Sequence, residues 1–232
     1  MKKLKMDAWE YLAKTMFWEQ LDFAHNMKIL DFGSGNGATA NHFAFDNDVT
    51  AIEPSVEMLK NRYTDNKYRQ VTGGINELEK LENESFDIII CHNVLEYISD
   101  KQAVVREFER LLKPNGVLSV VKHNRAGRIM QMVVLLNNFD HANEILNGGN
   151  SGGTYGSIEY YNDDDIPNWC DSFETEQIYG VRTFFDLQQK QKIQKNPEWQ
   201  KNMLEIEKRV SNIDCFKDIA FFHHILYRKN ES

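Results

Sequence analysis

The sequence predicts an α/β fold: a doubly wound, Rossmann-like, mostly parallel sheet with a helical cap inserted after the fifth strand. Three observations carry this expectation. From Lys28 to about Lys122, short apolar runs alternate with stretches of helical period, as repeated strand–helix units do. The segment Gly33-Ser34-Gly35-Asn36-Gly37 joins the first such run to the first such helix. After Lys122 the alternation gives way to a helical stretch and resumes only near Thr175.

The strand candidates are Lys28–Phe32, Val49–Glu53, Tyr68–Thr72, Phe86–Cys91 and Val117–Lys122. Ile88-Ile89-Ile90-Cys91 is continuously apolar after Asp87, which fits a central strand buried on both faces. Helices are expected over Ala38–Phe45, Ser55–Tyr63 and Lys101–Leu112. In the last, Val104, Val105, Phe108, Leu111 and Leu112 keep the 3.6-residue period until Lys113-Pro114-Asn115-Gly116 stops it. Upstream, Trp9, Leu12, Met16, Phe17 and Leu21 mark an amphipathic N-terminal helix. Downstream, Arg125–Leu146 reads as helical and Asn147–Gly156 as a glycine-rich lid. A strand over Thr175–Arg182, a long polar helix from about Gln188 to Val210 and a strand over Ala220–Arg228 follow. The expected organisation is one domain over residues 1–232, with residues 124–157 as its cap.

Composition narrows the function classes. The chain has 232 residues, 41% of them hydrophobic, which is enough for a packed core. No apolar run is long enough to span a membrane, and the basic start has no apolar segment behind it, so neither an anchor nor a signal peptide is expected. Cys91, Cys170 and Cys215 form no C-x-x-C pair, which points to a reducing, cytoplasmic setting without a structural zinc site. A net charge of −8, from 27 basic and 35 acidic residues, argues against non-specific binding to a polyanion, although a local basic patch remains compatible with it.

The glycine loop carries the strongest signal. Glycines after a strand let backbone approach a ligand, and the helix that follows offers free N–H groups. Glu53, at the end of the next strand, is spaced to accept hydrogen bonds from both hydroxyls of a ribose. Gly33, Gly35 and Ala38 also satisfy the loose dinucleotide pattern, so the loop by itself admits a nicotinamide cofactor. Two features favour S-adenosylmethionine: the third glycine falls early, at Gly37, and Asp31 sits at the strand end. An acid there repels a pyrophosphate but suits an ammonium group. An ordinary tight turn without a ligand is the plain alternative.

From about Met27 to Lys122 the chain resembles the class I S-adenosylmethionine-dependent methyltransferases. Asp31-Phe32-Gly33-Ser34-Gly35-Asn36-Gly37 resembles their first motif, and Glu53-Pro54-Ser55 the acidic end of their second strand. Phe86 to Tyr97 resembles the fourth-strand motif, and Leu111 to Leu118 the lead into the fifth strand. A narrower resemblance, to the tRNA 5-carboxymethoxyuridine methyltransferases, extends over His92–Asp100, His123-Asn124 with Gly127, Asn138-Phe139-Asp140 and Tyr179–Asp186. It implies that Glu53 and Pro54 border the ribose, that Gly74 and Ile75 line the adenine, and that His92 contacts the cofactor. With Asp31, Gly33, Ser34, Gly35 and Gly37, these make the expected cofactor site, with S-adenosylhomocysteine as the product. Where that subgroup carries an arginine on the cofactor, this chain has Ala13. Where the cap can carry a lysine-rich loop, it has the neutral Asn147–Gly156.

Methyl transfer from a sulfonium is an in-line displacement, so the protein mainly aligns the nucleophile and excludes water. A carboxylate or phenolate needs no strong base, and no catalytic base is singled out. An anionic acceptor needs cations, and the candidates are Lys122, His123, Arg125 and Arg182, with Arg128 a helical step on. Each has a plainer reading: His92 as a helix-start residue, Arg125 and Arg128 as a solvated helix face, Arg182 as a surface partner of Asp186. Met130, Met132 and Phe139 read as cap core rather than a substrate cage. His223-His224 point oppositely in a strand, which disfavours a metal site, and none is expected. Lys190 to Lys195 reads as a solvated face and the best remaining basic stripe for RNA. The expected reaction is methyl transfer to an oxygen, by the subgroup's analogy a carboxylate on a modified wobble uridine of tRNA. The alternatives are a small-molecule methyltransferase of the same fold, a non-catalytic nucleoside-binding protein and, last, a nicotinamide oxidoreductase.

Overall fold

The computed structural model describes residues 6–153 and 156–231. Its centre is a seven-stranded sheet built from β1 (Lys28–Phe32), β2 (Asp48–Glu53), β3 (Arg69–Thr72), β4 (Phe86–His92), β5 (Leu112–His123), β8 (Phe173–Val181) and β9 (Phe222–Lys229). The strand order is β3-β2-β1-β4-β5-β9-β8. The first five run parallel, whereas β9 lies antiparallel to both β5 and β8. The sheet is therefore mostly parallel, as the alternation predicts. Its winding direction reverses between β1 and β4, and in open sheets of this kind ligands bind at the carboxyl ends of the strands flanking that reversal.

β4 is apolar throughout its middle because it is buried on both faces: Ile88, Ile89, Ile90 and Cys91 are buried. On one side α4 (Lys101–Leu111) turns Val104, Val105, Phe108 and Leu111 into the core, and Asp100 caps it by accepting from the Ala103 N–H at 3.0 Å. Burial of each of those four side chains contributes about 1.5–3 kcal/mol. On the other side α1 (Ala8–Glu19) packs Leu12, Met16 and Phe17 against Val121, Val181 and Phe222. α2 (Ala38–Phe43) follows the glycine loop, and α3 (Val56–Lys60) follows β2, capped by Ser55.

The region after β5 is not one helix but three pieces. α5 (Arg125–Met130) passes into a π-helical turn over Gln131–Leu135, and Asn137, at φ 50°, turns the chain before α6 (Phe139–Leu146). Asn138 restarts the helix by accepting from the His141 N–H. The glycine-rich stretch continues into a small hairpin of β6 (Ser151–Gly153) and β7 (Gly156–Ile158). Gly127 explains how α5 seats so closely: a Cβ there would lie 2.1 Å from the Ala220 carbonyl oxygen. Asn124 tightens the same seat, donating from Nδ2 to the carbonyls of Asp218 and Ala220.

The helices expected to Phe45 and Tyr63 end at Phe43 and Lys60, and two boundaries move further. The helix expected from about Gln188 starts only at Pro197: a 3₁₀ turn spans Gln191–Lys195, and α8 (Pro197–Val210) has Pro197 in its first turn with Asn196 as cap. Proline lacks the N–H that an interior turn needs, so it opens the helix instead of continuing it. Lys113-Pro114-Asn115-Gly116 stops α4, but these residues already belong to β5, where the register with β4 shifts between Phe86 and Ile88. Two short helices, α7 (Asp165–Trp169) and α9 (Asp214–Lys217), complete the described chain. No helix among the described residues is long and apolar enough to cross a membrane.

Candidate active site at the carboxyl ends of β1, β2 and β4

A cavity of about 600 Å³ opens where the winding reverses, within the size range of small-ligand sites. Its floor is the glycine loop, from Phe32 to Asn36, with Glu53, Pro54 and Ser55 beyond β2. Gly74 and Ile75 lie after β3, and His92 and Asn93 at the end of β4. The roof comes from α1, through Trp9, Glu10, Ala13, Lys14 and Phe17. Eight of the ten residues expected at the cofactor thus share one cavity. Asp31 and Gly37 do not line it: Asp31 lies behind the loop, and Gly37 starts α2 with the Tyr68 hydroxyl packed against it.

The loop has this shape because Gly33 stands at φ 76° and Val94 presses on it; a Cβ at Gly33 would lie 2.3 Å from a Val94 methyl carbon. Only glycine tolerates both the conformation and the approach. Glu53 is nearly buried, and its two carboxylate oxygens accept from the Gly35 N–H at 2.7 Å and the Ser55 N–H at 2.8 Å. Two backbone donors hold its rotamer, and a carboxylate offers about four acceptor positions, so both oxygens keep capacity for a diol at the cavity wall.

Asp31 is buried, and its Oδ2 has no hydrogen-bond partner. Burial raises its carboxyl to about 7, against the opposing pull of the Lys14 ammonium and the Ala40 N–H, while Glu53 pushes it further up. Burial lowers Lys14 in turn, although Asp31 and Glu10 favour its charged form; its Nζ donates to Thr39 Oγ1. Ser34 Oγ, Asn93 Oδ1 and His92 Nδ1 are likewise buried without partners. Buried polar atoms are almost always paired, so three orphans on residues lining one cavity, with Asp31 Oδ2 behind the loop, suit a polar ligand there. The donor set fits S-adenosylmethionine: a paired acid at ribose spacing, a buried acid without a full complement of donors, and glycine backbone between them.

The four candidates for holding an anionic acceptor do not line this cavity. Lys122, nearly buried, pairs with Asp163 at 2.7 Å and lies over the Tyr161 ring. His123 hydrogen-bonds through Nδ1 to Glu96 Oε1 at 2.7 Å, and its backbone N–H donates to the same oxygen. Arg125 donates to the carbonyls of Ile145 and Gly149 and stacks on Tyr160, tying α5 to the end of α6. Arg182 pairs with Asp186, and the pair is buried rather than on the surface, with the guanidinium over Trp9, Phe221 and Phe222. Arg128 turns to Gln131 on its own helix. His223 and His224 point apart, one to Asp163 and the other to Ser119. Of the charged side chains lining the cavity, Glu10 and Glu53 outnumber Lys14. The α1 roof is not legible in the sequence, because an amphipathic helix carries no mark of which cavity it covers; Ala13, where the tRNA-modifying subgroup has an arginine, is its one hint.

Comparison with known proteins agrees with this geometry. Residues 30–120 match the family model for a methyltransferase domain. The chain is 24% identical over 167 residues to a ubiquinone biosynthesis O-methyltransferase of Glaesserella parasuis, covering 66% of this chain and 67% of that one. It is 26% identical over 144 residues to the tRNA 5-carboxymethoxyuridine methyltransferase of Escherichia coli, covering 56% of this chain and 55% of that one. In fold it is similar to an S-adenosylmethionine-dependent methyltransferase of Mesorhizobium loti, with TM-score 0.57, 15% identity, and coverage of 94% of this chain and 100% of the other. Sheet order, cavity position and glycine loop agree with the family match: residues 30–120 carry a methyltransferase domain, which supports a class I S-adenosylmethionine-dependent methyltransferase.

Proposed function

We propose that this protein transfers a methyl group from S-adenosylmethionine to an oxygen atom of a small, uncharged acceptor. The observation that carries the choice of acceptor is that Lys122, His123, Arg125 and Arg182 all have internal partners and none lines the cavity; Arg182 comes nearest, behind the Trp9 and Phe222 walls. An anionic acceptor would meet Glu10 and Glu53 with only Lys14 to offset them, whereas binding a carboxylate favours a cationic fork.

In this reading Glu53 accepts from the ribose hydroxyls, with Pro54 beside it, and the backbone of Gly33, Ser34, Gly35 and Gly37 shapes the loop. Gly74 and Ile75 flank the adenine, and Asp31, set behind the loop, favours the ammonium through its charge rather than by lining the cavity. His92 and Asn93 border the reacting end. The bound sulfonium supplies an electrophilic methyl group. The chain's own work is to align the acceptor and, through Trp9, Phe17 and Val94, to keep water out. The second reading, a carboxylate on tRNA, draws support from the 26% identity to the Escherichia coli enzyme and from the His92–Asp100 and Tyr179–Asp186 matches.

One experiment separates the two: incubation with methyl-labelled S-adenosylmethionine and either total tRNA at low salt or a metabolite extract. Label is expected in an organic-extractable small molecule. Label in tRNA alone would overturn the small-molecule reading in favour of the second.

A further inference from the structure

A buried polar chain, remote from the cofactor loop, ends on His92. It starts at Ser211, whose hydroxyl donates to the Gly180 carbonyl at 2.8 Å. A carbonyl only accepts, so the Ser211 hydrogen is committed there, and its oxygen accepts from Gln20 Nε2 at 3.0 Å. The Gln20 Oε1 then faces His224 Nδ1 at 2.7 Å, which must carry the hydrogen. Burial lowers His224 to about 3, so the ring is neutral and its Nε2 is an acceptor. Ser119 Oγ, 2.8 Å away, donates to it. Ser119 therefore accepts from His92 Nε2, also at 2.8 Å, and His92 carries its hydrogen on Nε2.

One nitrogen is left over. His92 Nδ1 must bear a lone pair, it is buried, and it has no partner, while the ring that carries it lines the cavity. Leaving such an acceptor unpaired is costly, and only a donor can relieve it. Ser119 and His224 are both fully buried and have no other use in the site.

We propose that the chain Gly180–Ser211–Gln20–His224–Ser119 locks His92 in one tautomer, so that its Nδ1 receives the proton of a hydroxyl-bearing methyl acceptor. This rests on the methyltransferase reading above and narrows its substrate to a neutral hydroxyl compound. The walls formed by Trp9, Phe17, Val94, Ile98 and Phe222 suit a planar ring. As the acceptor oxygen gains the methyl carbon, its O–H bond breaks and the proton passes to Nδ1. It does not stay there, because burial, with His224 and Lys14 nearby, holds this ring well below the ordinary imidazole range. The electron pair of the broken carbon–sulfur bond stays on sulfur as a thioether. His92 then returns the proton to solvent. A carboxylate has no proton to give and meets only a lone pair. His92 is the catalytic residue here, and Ser119 and His224 are positioning residues.

The test is nitrogen NMR of the imidazole groups, with catechol as the hydroxyl probe and phenylacetate as the carboxylate probe. At neutral pH, with or without S-adenosylhomocysteine, His92 is expected as the Nε2–H tautomer and His224 as Nδ1–H. In the S-adenosylhomocysteine-loaded protein, catechol is expected to shift the His92 Nδ1 resonance, and phenylacetate is not. Ser119→Ala is expected to mix the His92 tautomers, and Ser119→Thr, which keeps the hydroxyl, to restore one. With labelled cofactor, His92→Gln is expected to lower kcat for catechol about 100-fold while KM changes little. His92 found as Nδ1–H, or an Nδ1 resonance indifferent to catechol, overturns the proposal. Esterification of phenylacetate in preference to methylation of catechol does so too, and leaves the methyltransferase reading standing. Failure to bind S-adenosylhomocysteine would sink that reading instead, whereas the tautomers of the unloaded protein still report on the lock.

Discussion

The two ends of the sheet's carboxyl edge treat polar groups in opposite ways. Around β1, β2 and β4, Asp31, Ser34, His92 and Asn93 each keep a buried polar atom without a partner. Around β5 and the segment after it, Lys122, His123, Arg125 and Arg182 are paired within the chain. The first arrangement leaves polar capacity open beside a cavity. The second spends most of it on tying the segment after β5 and the end of β8 in place, although Glu96 Oε2, Arg128 Nε, Arg182 Nε and Asp186 Oδ2 lack partners there too. Charge type alone therefore does not tell binding groups from structural ones; free capacity on residues that line a cavity does.

Substitutions on the two sides should act on different observables. The largest effect is expected at Asp163, which accepts from both Lys122 and His223 at 2.7 Å. Asp163→Ala leaves the buried Lys122 ammonium unpaired and should lower stability by about 3–5 kcal/mol, read as a shift of the urea midpoint, with S-adenosylhomocysteine affinity nearly unchanged. Burial pushes the Asp163 carboxyl up, but His223 and Lys122 together hold it well below the usual range. Its contribution is therefore present at neutral pH and fades on acidification below the ordinary carboxylate pKa. A large loss of ligand affinity in this variant would blur the division between the two regions.

At Glu53 the expected order reverses. Glu53→Ala should weaken S-adenosylhomocysteine by about 1.5–3 kcal/mol, the range for hydrogen bonds to a charged group, while lowering stability less than Asp163→Ala does. Calorimetry checks this, and an unchanged affinity would remove Glu53 from the ribose.

A smaller, pH-dependent effect is expected at Asp31. Its carboxyl titrates at about 7 in the folded chain against 3.8 ordinarily. The native state thus holds a proton that the unfolded chain has lost, and stability falls as pH rises from about 4 to 7. Asp31→Asn should be free of that decline, so its urea midpoint should gain on the wild type across the window. At pH 8 it should also bind S-adenosylhomocysteine about tenfold more weakly, a loss of about 1.4 kcal/mol. Equal pH dependence in the two proteins would place the unpaired acid elsewhere.

Much of this was readable from the sequence because it is local. A strand that ends in glycines, an acid at the end of the next strand and an apolar run buried on both faces are encoded by neighbours within a few residues. Those readings pointed to Gly33, Ser34, Gly35 and Glu53, which line one cavity with Gly74, Ile75 and His92, the three residues that only the family resemblance implied. Where a local signal was overlooked, as at Pro197, the helix boundary moved with it.

Arg182 apart, whose partner Asp186 lies four positions on and was readable although its burial was not, the partners of the charged residues were not readable, because nothing within a few positions specifies them. Lys122 meets Asp163 from 41 residues away, and Ser119 meets His224 from 105. Gln20 reaches His224 across 204 residues. The sequence by itself determined the strand–helix alternation and its glycine loop, since periodicity and turn chemistry act over one or two turns of chain, and the family likeness rested on four motifs in order. Only the tertiary structure decided which cations were already paired, that α1 roofs the cavity and which nitrogen of His92 is free. Each of those depends on the strand order β3-β2-β1-β4-β5-β9-β8, which brings the two ends of the chain against β5.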